Sequence, residues 1–169
     1  MKVTLYMAIS IDGFIAKKDG DSDWVSPVDS ANFEQKIKEK GCIFVGRRTF
    51  DQYQGDLYPV KGTTNIVLTS NISLKSEKDN VIYAQSPSDA IKRAQAKGHD
   101  KALLIGGGIT NGLFLREGLI DEVFLSVHPL ILGAGIKLFE GNEADIKLEF
   151  LDKKELGEGL TQLHYQVVK

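Results

Sequence analysis

The feature that most constrains the fold is an alternation of short apolar runs with helix-forming segments along the chain. Strands are predicted over residues 2–9, 42–45, 64–69, 81–83, 102–105, 123–127, 147–151 and 160–168. Helices are predicted over residues 29–40, 86–97 and 110–116, the first of them capped by Asp29 or Ser30 and stopped by Gly41. Because consecutive strands replace the alternation near the C-terminal end, we expect an α/β sheet that is mostly parallel, with antiparallel strands at one edge.

Composition and charge limit the classes of protein to consider. The chain has 169 residues, 42 % of them hydrophobic and 26 % charged, which is typical of one globular domain over residues 1–169. A net charge of −2 gives no basic field for nucleic acid or an anionic membrane. The single cysteine excludes a disulfide framework, and three scattered histidines favour no metal site. Without a signal-peptide pattern, we expect a cytoplasmic protein.

Anion-binding groups follow three of the predicted strands. One strand ends in Gly106-Gly107-Gly108 before a helix, one in Gly46-Arg47-Arg48-Thr49, and one in Leu68-Thr69-Ser70. Glycines at a strand-to-helix turn let a phosphate approach backbone N–H groups, and arginines with hydroxyls bind phosphate oxygens. A tight turn, a solvated basic pair and an ordinary helix cap explain each segment taken alone. Since the carboxyl ends of parallel strands share one edge of a sheet, together they predict a phosphate-rich ligand there.

The best-known nucleotide motifs do not match this glycine segment. A dinucleotide fingerprint requires glycine at the sixth position counted from Gly106, where the chain has Asn111. A P-loop requires Gly-Lys-Ser or Gly-Lys-Thr after the glycines, and that is also missing. The predicted anion site therefore belongs to neither motif.

Four segments in register resemble the dihydrofolate reductase superfamily. They are Ala8–Ala16, Gly46–Phe50, Asn65–Ser70 and Ile105–Gly108, and their order and spacing fit nearly the whole chain. The Ser-x-Asp-Gly-x-Ile-Ala form and the stretch His128–Gly135 look more like the branch that contains the reductase domain of the bifunctional riboflavin-biosynthesis protein. The resemblance implies a dihydrofolate reductase-like α/β/α fold, mostly parallel, with an antiparallel C-terminal strand.

The resemblance also implies NADPH as the cofactor. Arg47 or Arg48 with Thr69 and Ser70 would hold the 2′-phosphate, and Arg48 would contact the pyrophosphate with Thr49. The full set of cofactor contacts that it implies is Ala8, Ile15, Gly46, Arg47, Arg48, Thr49, Leu68, Thr69, Ser70, Gly106, Gly107, Gly108, Ile109 and Thr110.

On the substrate side, the resemblance implies a carboxylate early in the first helix, at Asp29, which supports protonation of the substrate. Ser126 falls where the family has a hydroxyl partner of that carboxylate, and Phe33, Trp24 and Tyr6 would contact the substrate. A plain helix cap at Asp29, a buried strand serine at Ser126 and core packing of the aromatic residues are the alternatives.

Two departures from the family pattern leave the function open among three alternatives. Thr63 stands where folate enzymes place an arginine, and Gly106 where riboflavin reductase domains usually carry a glutamate. The candidates are an NADPH-dependent reductase of a pterin-like or aminopyrimidine-type substrate, of the riboflavin-biosynthesis type, a dihydrofolate reductase proper, and a non-catalytic NADP-binding regulatory domain. Related proteins use the region of Pro129–Gly135 in a homodimer, which we expect here as well.

Overall fold

A computed structural model describes residues 1–141 and 145–169, which form ten strands and four helices. The strands are β1 (Lys2–Ser10), β2 (Phe14–Ala16), β3 (Cys42–Gly46), β4 (Thr64–Leu68), β5 (Val81–Ala84), β6 (Lys101–Leu104), β7 (Glu122–His128), β8 (Ile136–Lys137), β9 (Leu148–Gly157) and β10 (Leu160–Val167). The helices are α1 (Pro27–Lys40), α2 (Arg47–Gln52), α3 (Pro87–Ala96) and α4 (Gly108–Arg116). None of the helices in these two ranges is long and apolar enough to cross a bilayer.

The strands form a mixed sheet of the predicted kind. Eight strands follow the order β5-β4-β3-β6-β1-β7-β10-β9, and β2 pairs with β8 in a separate ribbon. The first six strands of the sheet are parallel, whereas β10 runs antiparallel to both β7 and β9. This confirms a mostly parallel α/β sheet with an antiparallel C-terminal edge.

Helices cover both faces of this sheet. In β3, Phe44 packs with α3 and α4 side chains such as Ala90 and Phe114 on one face. Its neighbour Val45 points to the other face and packs with Ile37 of α1 and with the α2 residues beside it. Because both faces are buried, the central strands have continuous apolar sequences, as expected for parallel strands. The three-layer α/β/α architecture follows.

The first helix begins earlier than its predicted cap. The N-cap residue is Ser26, whose Oγ accepts a hydrogen bond from the Asp29 N–H at 3.2 Å, so neither Asp29 nor Ser30 caps α1. Pro27 at the first helical position explains the shift, since it has no N–H to satisfy and its φ suits a helix start. The helix ends as predicted at Gly41, whose φ of 68° favours glycine.

Four further elements differ from the prediction. No helix was predicted after Gly46, where the short helix α2 begins at Arg47. The strands β2 and β8 were not predicted, because three and two residues are too short for a recognisable alternation. Strand β9 extends to Gly157 rather than ending at Leu151. The prediction ended early because β9 is an exposed edge strand in which four charged residues, Asp152–Glu155, follow Leu151.

Candidate functional site

A cleft of about 1390 Å³ lies at the carboxyl edge of the central strands. All three predicted anion-binding segments contribute to its wall, since β4, β3 and β6 are neighbours in the sheet. The predicted site residues that line it are Tyr6, Ala8, Ile15, Asp29, Phe33, Gly46, Arg47, Arg48, Thr49, Leu68, Thr69, Ser70, Gly107, Gly108, Ile109 and Thr110. Gly106, Trp24 and Ser126 are not among the lining residues.

Backbone pairing holds the three strand ends together. Gly46 of β3 is in register with Leu68 of β4, and its N–H donates to the Gly106 carbonyl at 2.8 Å. The Thr110 hydroxyl lies directly over the Cα of Gly46, where a Cβ would collide with it. The sequence therefore brings a glycine backbone and a helix-start hydroxyl to one point of the cleft.

The N-terminus of α4 points its backbone N–H groups at this cleft. Its N-cap is Gly107, and no side chain of the described residues caps this end. Gly108 allows α4 to lie against β8, because a Cβ there would collide with the Lys137 carbonyl. The first-turn N–H groups and the helix dipole together favour an anion such as a pyrophosphate.

The two arginines of α2 differ in what they contact. The Arg47 Nε donates to Asp51 Oδ2 at 2.6 Å, and its guanidinium lies 5.8 Å from the ring centre of Tyr83 in β5. Arg48 is exposed, and no carboxylate of residues 1–141 or 145–169 lies within ion-pair distance of it. Since Asp51 binds only the Nε edge, the terminal nitrogens of Arg47 stay available toward β4 and β5.

The end of β4 adds hydroxyl groups on the same side. Thr69 Oγ1 accepts a hydrogen bond from the Asn71 N–H at 3.1 Å, which leaves its own O–H proton for a ligand. Ser70 is exposed beside it, and Leu68 supplies an apolar surface in the cleft wall. A guanidinium with neighbouring hydroxyls and an apolar surface is suited to bind a nucleoside that carries a phosphate on its ribose. An unphosphorylated ribose is usually bound by a carboxylate through its hydroxyl groups.

Away from the glycine and arginine segments, the cleft contains the carboxylate of Asp29, which belongs to a buried hydrogen-bond network. Its side chain is 1 % exposed, and its Oδ1 accepts a hydrogen bond from the Tyr6 hydroxyl at 2.6 Å. The Tyr6 oxygen in turn accepts from Gln162 Nε2 at 2.9 Å and from Ser126 Oγ at 3.4 Å. Gln162 also donates to Ser126 Oγ at 3.1 Å. These donors direct the Tyr6 proton toward Asp29, and burial, followed by the Asp29 bond, raises the Tyr6 pKa.

This network corrects the predicted role of Ser126. Ser126 does not contact the carboxylate, because the larger Tyr6 side chain from the neighbouring strand β1 stands between them. Gln162 of β10 was not predicted at all, since it lies 156 residues from Tyr6 in the sequence and forms no local motif. Tyr6 itself, predicted to contact substrate, is a lining residue whose hydroxyl belongs to the network.

Trp24 lies against His128 rather than in the cleft wall. The two rings meet edge to face with their centres 5.1 Å apart. His128 Nε2 accepts the Ser26 N–H at 3.1 Å, and its Nδ1 lies 3.0 Å from the Ser126 carbonyl, so Nδ1 carries the proton. Trp24 and His128 therefore anchor the segment that precedes α1 and positions Asp29, which accounts for an aromatic residue at this place.

Removal of the Tyr6 hydroxyl is expected to destabilise the protein. In Tyr6→Phe the buried donors of Gln162 and Ser126 lose their shared acceptor, which costs about 1–3 kcal/mol in the free energy of unfolding. Urea denaturation checks this value. Tyr165→Phe, at a half-buried tyrosine of β10, is the matched control and should change stability by less than about 0.5 kcal/mol. Equal stabilities of the two variants would contradict the network.

A second carboxylate, that of Asp12, accepts hydrogen bonds from the backbone of the loop after β7. Asp12 Oδ1 accepts from Ser10 Oγ at 2.6 Å and from the Leu132 N–H at 3.1 Å, and Oδ2 accepts from the Gly133 N–H at 2.7 Å. The Ser10 hydroxyl, and then the two amides, hold the Asp12 pKa below its usual value. The contact explains why the Ser-x-Asp-Gly motif and the stretch Pro129–Gly135 occur together. The homodimer expected through this stretch stays a prediction.

Loss of the Asp12 carboxylate should release these amides. In Asp12→Ala we expect hydrogen exchange at Leu132 and Gly133 to accelerate by about tenfold, the value of one hydrogen bond. Because the folded-state pKa is lowered, the contact is complete at neutral pH and weakens as the pH falls through that lowered value. Asp56→Ala, at an exposed position outside the cleft, is the control. Unchanged exchange in Asp12→Ala would contradict the assignment.

A mostly parallel α/β sheet with a cleft at the carboxyl ends of its strands defines the class of α/β proteins in which ligands bind at that edge. Within that class, the model of the RibD C-terminal domain family matches residues 1–162, and the chain belongs to this family. Its fold is of the dihydrofolate reductase type that the sequence motifs indicated.

Similar proteins include two without an assigned role. One of them, the uncharacterized protein YwjB of Bacillus subtilis, is 31 % identical in an alignment of 173 positions that covers 97 % of both chains. The riboflavin biosynthesis protein RibD of Corynebacterium ammoniagenes is 28 % identical in an alignment of 153 positions that covers 80 % of this chain and 45 % of that protein.

Solved structures show the same fold. A proposed riboflavin biosynthesis protein from Shewanella sp. PV-4 superposes with a TM-score of 0.84 at 28 % identity over the whole of both chains. The deaminase and 5-amino-6-(5-phosphoribosylamino)uracil reductase of Thermotoga maritima gives a TM-score of 0.79 at 19 % identity. This chain covers 56 % of that bifunctional protein.

Proposed function

We propose that this protein is an NADPH-dependent reductase that transfers a hydride to a pterin-like or aminopyrimidine-type substrate, of the riboflavin-biosynthesis type. The observation that carries the proposal is the cleft itself, in which a phosphate-binding half adjoins a buried carboxylate. Membership of a family that includes reductase domains of riboflavin biosynthesis supports the same reaction class.

The phosphate-binding half fits NADPH by its donor set. The N–H groups at the start of α4 and the Thr49 hydroxyl would bind the pyrophosphate, with Arg48 close to them. Arg47 would bind the 2′-phosphate together with Thr69, since both lie toward β4 and β5. The nicotinamide would then lie against the backbone of β1 near Ala8. When bound, NADPH supplies the hydride.

The carboxylate half would bind the heterocycle and handle the proton. Tyr6 fixes Asp29 through Oδ1, and no donor of the described residues binds the second oxygen, which is free to accept a substrate N–H. Hydride addition to a C=N or C=O carbon leaves the electron pair on the nitrogen or oxygen, which takes up one proton. Asp29 would pass that proton from water to the reduced nitrogen or oxygen, and Phe33 would form an apolar wall beside the substrate.

A non-catalytic NADP-binding domain is the second candidate. It is favoured by the departures at Thr63 and Gly106, which remove two substrate signatures of the related enzymes. The dihydrofolate reductase alternative is weakened by Thr63, since this residue is 4 % exposed and offers no cation to a glutamate tail.

Hydride transfer itself tests the proposal. NADPH deuterated at the transferred position is incubated with the protein and with dihydropterin or aminopyrimidine substrates. Deuterium in the reduced product is the expected result, detected by mass spectrometry. NADPH binding with no label in any product would support the non-catalytic candidate instead.

A further inference from the structure

The charged side chains of the cleft are divided unevenly between its two ends. The acidic residues that line it are Asp19, Asp23, Asp29, Asp51 and Glu140, and the basic residues that line it are Arg47 and Arg48. Both arginines lie in the first turn of α2, in the half that we assign to the cofactor. Asp51 already pairs with Arg47, which leaves little positive charge for a second anion.

The segment between β2 and α1 forms the acidic end. It is fastened to the far end of α2, where Tyr53 donates to the Gly20 carbonyl at 3.1 Å and its hydroxyl lies 2.9 Å from Ser22 Oγ. A rise of about 1.5 Å per residue separates Tyr53 from Arg47 by roughly 9 Å along the helix. The acidic segment therefore contacts α2 at the end opposite to the turn that carries both lining arginines.

The lysine next to this segment compensates two of its carboxylates but not Asp19. Lys17 pairs with Asp21 at 2.9 Å and with Asp23 at 2.7 Å, and it is not a lining residue. Asp19 accepts only the Asp21 N–H within the described part of the chain, so its charge stays in the cleft together with that of Asp29. An anionic group placed beside Asp19 or Asp29 would face an uncompensated carboxylate, because the basic residues that line the cleft, Arg47 and Arg48, are the ones we assign to the cofactor.

We propose that the substrate is an uncharged or cationic nitrogen heterocycle that carries neither a phosphate nor a carboxylate tail. The inference rests on the proposed function, because it concerns the half of the cleft that would hold the heterocycle. A phosphate near Asp19 and Asp29 would lose water and gain repulsion, which selects against anionic analogues of the same ring.

Two matched ligand pairs test the substrate charge. The first pair is 5-amino-6-ribosylaminouracil with and without its 5′-phosphate, and the second is dihydropterin and dihydrofolate. Calorimetric titrations use protein saturated with NADP⁺, so that the arginines are occupied and a phosphate cannot bind at the cofactor end. We expect the member without the anionic group to bind at least about tenfold more tightly in one pair or both.

A charge reversal sharpens the experiment. Asp19→Lys should strengthen binding of the anionic member about fivefold or more and leave the uncharged member within about twofold. Asp56→Lys, an exposed position outside the cleft, makes the same charge change and should alter neither.

Each contrary outcome has its own meaning. Tighter binding of the phosphorylated or glutamylated member to the unaltered protein would overturn the inference and leave the proposed function standing. NADP⁺ binding without binding of any of the four ligands would contradict the proposed substrate class and the inference with it. No binding of NADP⁺ would contradict the proposed function at its cofactor.

Discussion

Replacement of Arg47 by alanine should reduce the affinity for NADPH about 10- to 100-fold and change the affinity for NADH by less than about threefold. The reason is that the terminal guanidinium nitrogens of Arg47 would bind only the 2′-phosphate, the one group that distinguishes the two cofactors. Loss of the Asp51 ion pair should matter little, since both side chains are more than one-third exposed. Calorimetric titration with each cofactor measures both affinities.

Arg48 and Arg93 provide matched controls for this result. Arg48→Ala should weaken NADPH and NADH by a similar factor, because Arg48 is assigned to the pyrophosphate that both cofactors share. Arg93 pairs with Asp89 on α3, outside the cleft, and Arg93→Ala should alter neither affinity. Equal losses for both cofactors in Arg47→Ala would place the 2′-phosphate elsewhere.

Replacement of Asp29 by asparagine should lower kcat about 10²- to 10⁴-fold, the usual contribution of a positioned acid or base. Asparagine keeps the shape of the side chain and an oxygen that can accept the Tyr6 proton, so the fold and cofactor affinity should persist. Steady-state oxidation of NADPH with the best heterocycle measures the effect. The loss should appear in kcat as well as in KM, since the carboxylate both binds and protonates.

Asp56→Asn is the corresponding control, because Asp56 is exposed and lies outside the cleft. It should retain full activity. If Asp29→Asn also retained full activity, Asp29 would be only a first-turn residue of α1 whose charge stabilises the helix.

The sequence was sufficient to predict the central sheet and the meeting of the glycine, arginine and hydroxyl segments in one cleft. Strands buried on both faces, such as β3 and β6, have continuous apolar sequences that stand out from their surroundings. The glycine and arginine segments directly follow those strands, so their meeting at one edge follows from parallel order alone. The edge strand β9 was misjudged because it is exposed on both faces and has no alternation to recognise.

The part of the cleft around Asp29 was much harder to predict from the sequence. The hydrogen bonds that orient Asp29 join β1, β7, α1 and β10, and Gln162 has no sequence signal that separates it from any other strand glutamine. Helix α1 begins at Pro27, earlier than predicted, so Asp29 is a buried residue of its first turn and not its capping residue. Trp24 was predicted to contact the substrate. Its actual contact with His128 could not be predicted, because it depends on the path of the loop before α1.

A crystal structure of the protein with NADP⁺ would test the central claim most directly. We expect the pyrophosphate at the first turn of α4, the 2′-phosphate between Arg47 and Thr69, and the nicotinamide on the Asp29 side of the cleft. A cofactor found outside this cleft, or with its adenosine end beside Asp29, would contradict the account.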